Sequence, residues 1–246
     1  MGVYYRKRGQ IKLHGPRSGR RIERFTEFER LVHWSQATAF VILAASGLVM
    51  LFGKYVLLPL AGGTAFGYAI FGWLAWICKN LHNLVGPIFI FTTAFIVAVF
   101  VKDNFPKLYD FKWIAGGGGL IGDAEPPSGR FNAAEKGWFW IGVIGFGIVM
   151  IVTGLIMDFP NFGQGRALMQ SVNIVHAIAA VTFIALALGH IYMGTIGMEG
   201  AYEAMRDGYV DEEWAREHHL YWYEEVKSGK IPAVRSAPAA GAAPQS

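Results

Sequence analysis

The sequence predicts an all-α integral membrane protein, a bundle of four transmembrane helices with both termini in the cytoplasm. Three observations predict it. Only 16% of the 246 residues are charged and 53% are hydrophobic, against roughly 25% charged in soluble domains. Four long runs, 31–52, 81–101, 137–157 and 171–198, carry no Asp, Glu, Lys or Arg, and each has the roughly 20 residues that cross a ~30 Å hydrocarbon core. The basic residues, finally, are strongly one-sided. Nine precede residue 31, five lie in 102–136 and five follow residue 198, against only Lys54, Lys79 and Arg166 on the other side. By the positive-inside rule the first group is cytoplasmic. Membrane orientation thus accounts for the net charge of +4 without nucleic acid as a partner.

Taken in order, residues 1–30 form a polar cytoplasmic tail with no apolar run of the secretory kind, so insertion relies on the first membrane helix. Residues 31–198 form the four-helix domain. Gly47, Gly86 and Gly154 are tolerated within its helices where something packs closely. The apolar stretch 55–78 is interrupted by Pro59 and by Gly62 and Gly63. It reads as an interfacial or re-entrant segment, with a short fifth helix as the alternative. The loop 102–136 holds Gly116–Gly119 and the pair Pro126 and Pro127, and is expected to be irregular. Residues 199–234 form a cytoplasmic segment, and the Ala- and Pro-rich 235–246 a disordered tail. The likeness of Ser46-Gly47-Leu48 to Thr153-Gly154-Leu155 is local, and no internal repeat stands out.

Four of the seven histidines, His33, His82, His176 and His190, fall inside the charge-free runs. An ionisable group in lipid is costly and needs a partner. Helix direction gives each a depth: His33 and His190 near the inner surface, His82 and His176 near the outer one. His176 and His190 are fourteen residues apart, about 21 Å along a helix with a net rotation of roughly −40°, so they share a face. Neutral imidazole is an axial ligand of haem iron, and two depth-matched pairs fit two haems b, one near each surface. A lone buried histidine is more often a hydrogen-bonded core residue; two matched pairs change that balance. His14, His218 and His219 lie in the tails, where a solvent or contact role suffices.

The single cysteine, Cys78, excludes within this chain a disulfide, a Cys-ligated zinc site, an iron–sulfur cluster and the paired cysteines of c-type haem. Any haem is therefore held non-covalently. No carboxylate occurs in the four runs, which disfavours zinc and di-iron sites and an ion-coupled transporter.

The chain resembles the gamma, or cytochrome b, subunit of membrane-bound respiratory formate dehydrogenases over roughly residues 25–228. The likeness is carried by Arg30, His33 and Trp34 opening the first helix, His82 opening the second, and the stretch 131–136 before the third. His176 with the run 190–193 in the fourth, and Gly208 to Val210, Trp214, His218, His219, Trp222 and Tyr223 in the tail, complete it. The resemblance implies an outer haem between His82 and His176 and an inner haem between His33 and His190. It implies a menaquinone or ubiquinone site on the cytoplasmic side at Asn132, with Glu135 and Lys136 beside it. Where the family has Asn-Ala-Gly-Gln-Lys, this chain has Asn-Ala-Ala-Glu-Lys at 132–136. Glu135 is then either a proton donor to reduced quinone or, the reading preferred, a first-turn residue favoured by the helix dipole.

The implied partners are an iron–sulfur (beta) subunit, a molybdenum or tungsten catalytic (alpha) subunit that oxidises formate, membrane lipid, and further copies of the complex in a higher oligomer. The implied location is the bacterial inner membrane. The cytochrome b subunits of nickel–iron hydrogenase and thiosulfate reductase are the nearest alternative, disfavoured by the longer 102–136 loop and the His218–His219 tail. A haem-free membrane anchor is the alternative from another class, and it leaves four histidines without a role.

Overall fold

The computed structural model describes residues 2, 5–6, 9–118 and 126–236. The chain is mostly helical, and among the described residues four stretches are long and apolar enough to cross a membrane. They are α1 (Glu27–Leu60); α2 (Ala65–Phe100) with a 3-10 turn to Asn104; a third beginning as α4 (Ala133–Gly137) and ending as α5 (Gly147–Asp158); and α6 (Arg166–Tyr192) with its extension to Gly197. Between α4 and α5 the chain runs as a π-helix over Trp138–Phe146. A second π-helical stretch, Met193–Gly197, extends α6.

The helices overrun the charge-free runs, and this corrects the reading of 55–78. Residues 55–60 are the last turns of α1, and 65–78 the first turns of α2. Pro59 sits in the closing turn of α1, where few hydrogen bonds remain to be lost. The break is the turn that follows, where Gly62 and Gly63 take φ of +76° and +61°, the left-handed conformation that ends helices.

The chain divides into two compact units. One comprises Val32–Val99 and Ile141–Ala187 and packs the middles of all four long helices. Phe183 of α6 meets Phe40 of α1 edge-on at 4.8 Å and Phe146 in a stack at 5.6 Å. Gln36, buried in α1, is tied to α2: its Nε2 donates to Thr93 Oγ1 (3.1 Å) and its Oε1 accepts from Thr92 Oγ1 (2.6 Å). A buried amide is stable only when satisfied in this way.

The other unit comprises Met1–Leu31, Phe100–Trp140 and Leu188–Ser246. Strand β1 (Arg21–Glu23) pairs antiparallel with β2 (Tyr209–Asp211), Ile22 opposite Val210. Around them lie α3 (Leu108–Ala115), α7 (Ala201–Arg206), α8 (Glu212–His218) and α9 (Leu220–Lys227). The expected irregular loop 102–136 therefore contains a helix of its own, begun where Asp110 Oδ2 accepts from the Lys107 backbone N–H at 2.6 Å. Trp214, Trp222, Val210 and His219 form the buried centre. Of the expected disordered tail 235–246, residues 237–246 lie outside the described residues. Arg235 and Ser236 are placed: Arg235 pairs with Glu29, and the Ser236 backbone donates to the buried Glu23 carboxylate at 2.6 Å.

Within this unit α1 and α4 begin alike. Thr26 and Glu29 exchange reciprocal bonds at the start of α1 (2.9 and 3.3 Å), and Asn132 and Glu135 do so at the start of α4 (2.9 and 3.0 Å). Both are capping boxes, which satisfy two otherwise orphaned amides. Two residues before each cap stands an arginine that pairs with the other box. Arg24 donates to Glu135 at 2.8 Å and Arg130 to Glu29 at 2.8 Å. Each guanidinium also donates to the other's carbonyl (2.9 and 2.7 Å), and both lie over the rings of Phe25 and Phe131.

The shared pattern is Arg-Phe-(Thr/Asn)-x-x-Glu, at 24–29 and again 106 positions later at 130–135. Ser46-Gly47-Leu48 and Thr153-Gly154-Leu155 follow at a separation of 107. The π-helical stretch lies between the second pair of landmarks, and a π-turn holds an extra residue. The likeness that looked local in the sequence belongs to a repeat.

Gly208 fixes the approach of β2 to this clamp. Its carbonyl accepts from the backbones of Arg24 and Phe25 (2.8 and 3.1 Å), and its φ is +98°. A Cβ there would stand 2.5 Å from the Phe25 carbonyl oxygen. Gly208→Ala is expected to lower stability by about 1–3 kcal/mol, the usual cost of such strain, read as a fall in the unfolding temperature of the solubilised chain. An unchanged midpoint would mean that the backbone is not held there.

Candidate functional site

His82 on α2 and His176 on α6 lie in the four-helix unit with their ring centroids 6.3 Å apart and planes at 70°. Both line a cavity of 520 Å³. Its walls are apolar, with Phe40, Leu43, Phe89, Ile90, Met150 and Phe183 among them, and Lys79 and Asp158 stand in the same lining. Volume and lining are those of a site for a large, mostly apolar ligand.

Each ring is placed by the preceding long helix. Ser46 Oγ on α1 is 2.9 Å from His82 Nδ1, and Thr153 Oγ1 on α5 is 2.7 Å from His176 Nδ1. The next residue in each case is glycine. A Cβ on Gly47 would stand 3.3 Å from His82 Cε1, and one on Gly154 3.7 Å from His176 Cε1. The first spacing is tight, so the missing side chain at Gly47 eases the approach of His82 to α1; the second is an ordinary van der Waals contact.

This geometry fits a haem iron ligated from both faces. Nitrogens opposed across a metal ion at ~2.0 Å each are about 4 Å apart, and the half-width of each imidazole brings the centroid spacing to the observed value. The two Nδ1 atoms are engaged by hydroxyls, so Nε2 is the nitrogen that each ring could offer to an iron. Among the described residues no group of three or more His, Cys, Asp and Glu is placed to hold a bare metal ion.

The other predicted residues fall as follows. His33 lies on α1 in the four-helix unit, edge-on to Trp34 at 5.2 Å. His190 lies near the end of α6 in the other unit, its ring stacked on Trp138 at 4.9 Å and 10°. Asn132, Glu135 and Lys136 are gathered in the first turn of α4. Glu135 spends its oxygens on the cap and on Arg24, so the helix-start reading describes its contacts. Lys136 donates both to Asp110 Oδ1 (3.0 Å) and to Asp110 Oδ2 (2.7 Å), an ion pair buried on both sides.

The tail histidines are less bland than expected. His218 and His219 are 2% and 1% exposed, which overturns a solvent role and leaves the contact one. His219 Nδ1 donates to the Gly129 carbonyl at 2.7 Å. Burial, together with the neighbouring Arg24 guanidinium, pushes its pKa down to about 3, so the ring is neutral. His14 stays exposed, its ring 2.5 Å from Glu217. Sequence reasoning missed Ser46 and Thr153 as partners of the ligand candidates. The signal was their shared hydroxyl-Gly-Leu tripeptide.

The chain is similar to known proteins along most of its length. The family model described as prokaryotic cytochrome b561 matches residues 24–208. The chain is 29% identical over 209 residues to the formate dehydrogenase cytochrome b556(fdo) subunit of Escherichia coli K12, covering 84% of this chain and 93% of that one. The nitrate-inducible formate dehydrogenase cytochrome b556(Fdn) subunit of the same organism is 28% identical, over 82% and 90%. The formate dehydrogenase cytochrome b556 subunit of Haemophilus influenzae is 24% identical, over 86% of each chain.

Proposed function

The chain belongs to the prokaryotic cytochrome b561 family, and from that premise we propose that it is the membrane cytochrome b subunit of a formate dehydrogenase. In this reading it passes electrons from a partner iron–sulfur subunit, through two b haems, to menaquinone or ubiquinone. Formate oxidation belongs to a separate molybdenum- or tungsten-containing chain. The formate dehydrogenase subunits similar to it along most of their length support the choice of donor. The observation that carries the reading is the opposed pair His82 and His176 across an apolar cavity.

Haem bound there supplies a one-electron redox centre. His82 and His176 would hold it by their Nε2 atoms, and the apolar lining would keep water from the iron. By matched depth in the sequence, His33 and His190 are the ligands of the second haem. The first turn of α4, with Asn132, Glu135 and Lys136, is the quinone-reducing end on the cytoplasmic side of the bacterial inner membrane. The one-sided basic residues support that orientation, with both termini inside. The iron–sulfur subunit docks on the opposite side, nearest His82 and His176.

The test is a dithionite-reduced minus oxidised spectrum of the solubilised chain, with haem quantified as its pyridine haemochrome. Two b haems per chain are expected, and formate is expected to reduce both once the partner subunits are present. A folded, inserted chain without haem would leave only an anchoring role. Two haems reduced by dithionite but never by formate would point to another donor.

A further inference from the structure

We propose that Ser46 and Thr153 are positioning residues for the outer haem, each fixing its ligand histidine in the tautomer that presents a bare Nε2 to the iron. The inference rests on the bis-histidine reading of His82 and His176. It begins with a count of hydroxyl protons. A serine or threonine hydroxyl has one proton to donate and lone pairs with which to accept. Ser46 Oγ lies 2.7 Å from the Ile42 carbonyl, and Thr153 Oγ1 lies 2.6 Å from the Val149 carbonyl. Both are the residue four positions back in the same helix, the usual acceptor for a mid-helix hydroxyl. A carbonyl can only accept, so each hydroxyl proton is committed to it.

Toward the imidazole each hydroxyl must therefore act as acceptor. Nδ1 of His82, at 2.9 Å, and of His176, at 2.7 Å, must each carry the proton and donate it. In a neutral imidazole the remaining nitrogen, Nε2, then has its lone pair exposed, as a metal ligand requires. A carbonyl–hydroxyl–imidazole chain is an outer-shell support of the kind that orients a ligand ring and raises its basicity.

The second observation is recurrence. The device occurs twice, on the two copies of the repeat, each time from one long helix to the histidine on the next: α1 to α2 and α5 to α6. The glycine after each hydroxyl stands beside the same histidine's Cε1. A hydroxyl kept only to satisfy its own helix would not need to face a ligand ring in both halves.

The test uses the full solubilised chain and reads haem retention and midpoint potential. The variants are Ser46→Ala, Thr153→Val, Thr153→Ser and His82→Ala. Thr153→Val keeps the shape of threonine without the hydroxyl; Thr153→Ser keeps the hydroxyl. Loss of either hydroxyl is expected to weaken outer-haem retention about 10–100-fold. It should also shift that haem's potential positive as the ligand becomes less basic, by up to about 59 mV for a tenfold change in the ferric-to-ferrous preference. The inner haem serves as the folding control, and Thr153→Ser should return both readouts to wild type.

Unchanged retention and potential in Ser46→Ala and Thr153→Val, with one haem lost in His82→Ala, would overturn the positioning role while the haem reading stands. Both haems retained in His82→Ala would overturn the haem reading itself, and this inference with it. Thr153→Ser behaving like Thr153→Val would assign the effect to packing and also overturn the proposal.

Discussion

His176→Ala is expected to remove one of the two haems and to disconnect formate from quinone. The ring is one of two facing each other across the apolar cavity, and alanine offers the iron nothing in its place. Loss of an outer-shell partner alone costs a metal site about 10–100-fold in affinity or activity, so loss of the ligand should exceed that range. In the assembled complex, formate-dependent quinone reduction should fall below about a hundredth of wild type. The haemochrome assay should give one haem per chain. The remaining haem should still be reduced by dithionite but no longer by formate, because in the proposed relay the centre nearest the donor is then missing. A variant that keeps two haems with wild-type spectra would show that His176 is a core residue.

The second large effect is expected on stability, at the buried pair Lys136 and Asp110. Their side chains are 5% and 8% exposed, with nitrogen–oxygen distances of 2.7 and 3.0 Å. Removing one partner strands the other charge out of water, which costs about 3–5 kcal/mol, whereas replacing both by apolar groups of similar size is often neutral. Lys136→Met and Asp110→Leu should each unfold at markedly lower temperature, and the double variant should recover most of the loss. The double variant also separates two roles for Lys136. If stability returns and quinone reduction does not, the ammonium serves the quinone end as well as α3. Single variants within about 0.5 kcal/mol of wild type, the range of ordinary surface substitutions, would mean that the pair is hydrated.

The parts of the fold governed by lipid were the most legible in the sequence. A charge-free run of twenty or more residues has few alternatives in a bilayer, and all four became helices. Depth along those helices puts His82 and His176 at one height, because a rise of 1.5 Å per residue converts sequence position directly into height, and the two rings lie 6.3 Å apart. The stretch 55–78 was misread because a proline and a glycine pair look alike as breaks. Their effect depends on how much helix lies beyond them, and Pro59 has almost none.

What the sequence hid was cross-pairing between distant residues. Arg24 meets Glu135 and Arg130 meets Glu29, contacts across more than a hundred positions that no local pattern announces. The repeat behind them was obscured by its one-residue drift through the π-helical stretch. His218 and His219 lie in a tail of the sequence, where a solvent or contact role suffices, yet Trp214 and Trp222 pack against them in the fold.

The cross-pairing also sets an order of events at the ribosome. Thr26 and Glu29 can begin α1 as soon as they are made, but Glu29 lacks Arg130 until about a hundred further residues have been translated, and Arg24 waits longer still for Glu135. Arg235, the other partner of Glu29, arrives last of all. Glu29 therefore gains its two arginine partners only after the first helical hairpin has been made, Arg130 ahead of the second hairpin and Arg235 from the tail that follows it.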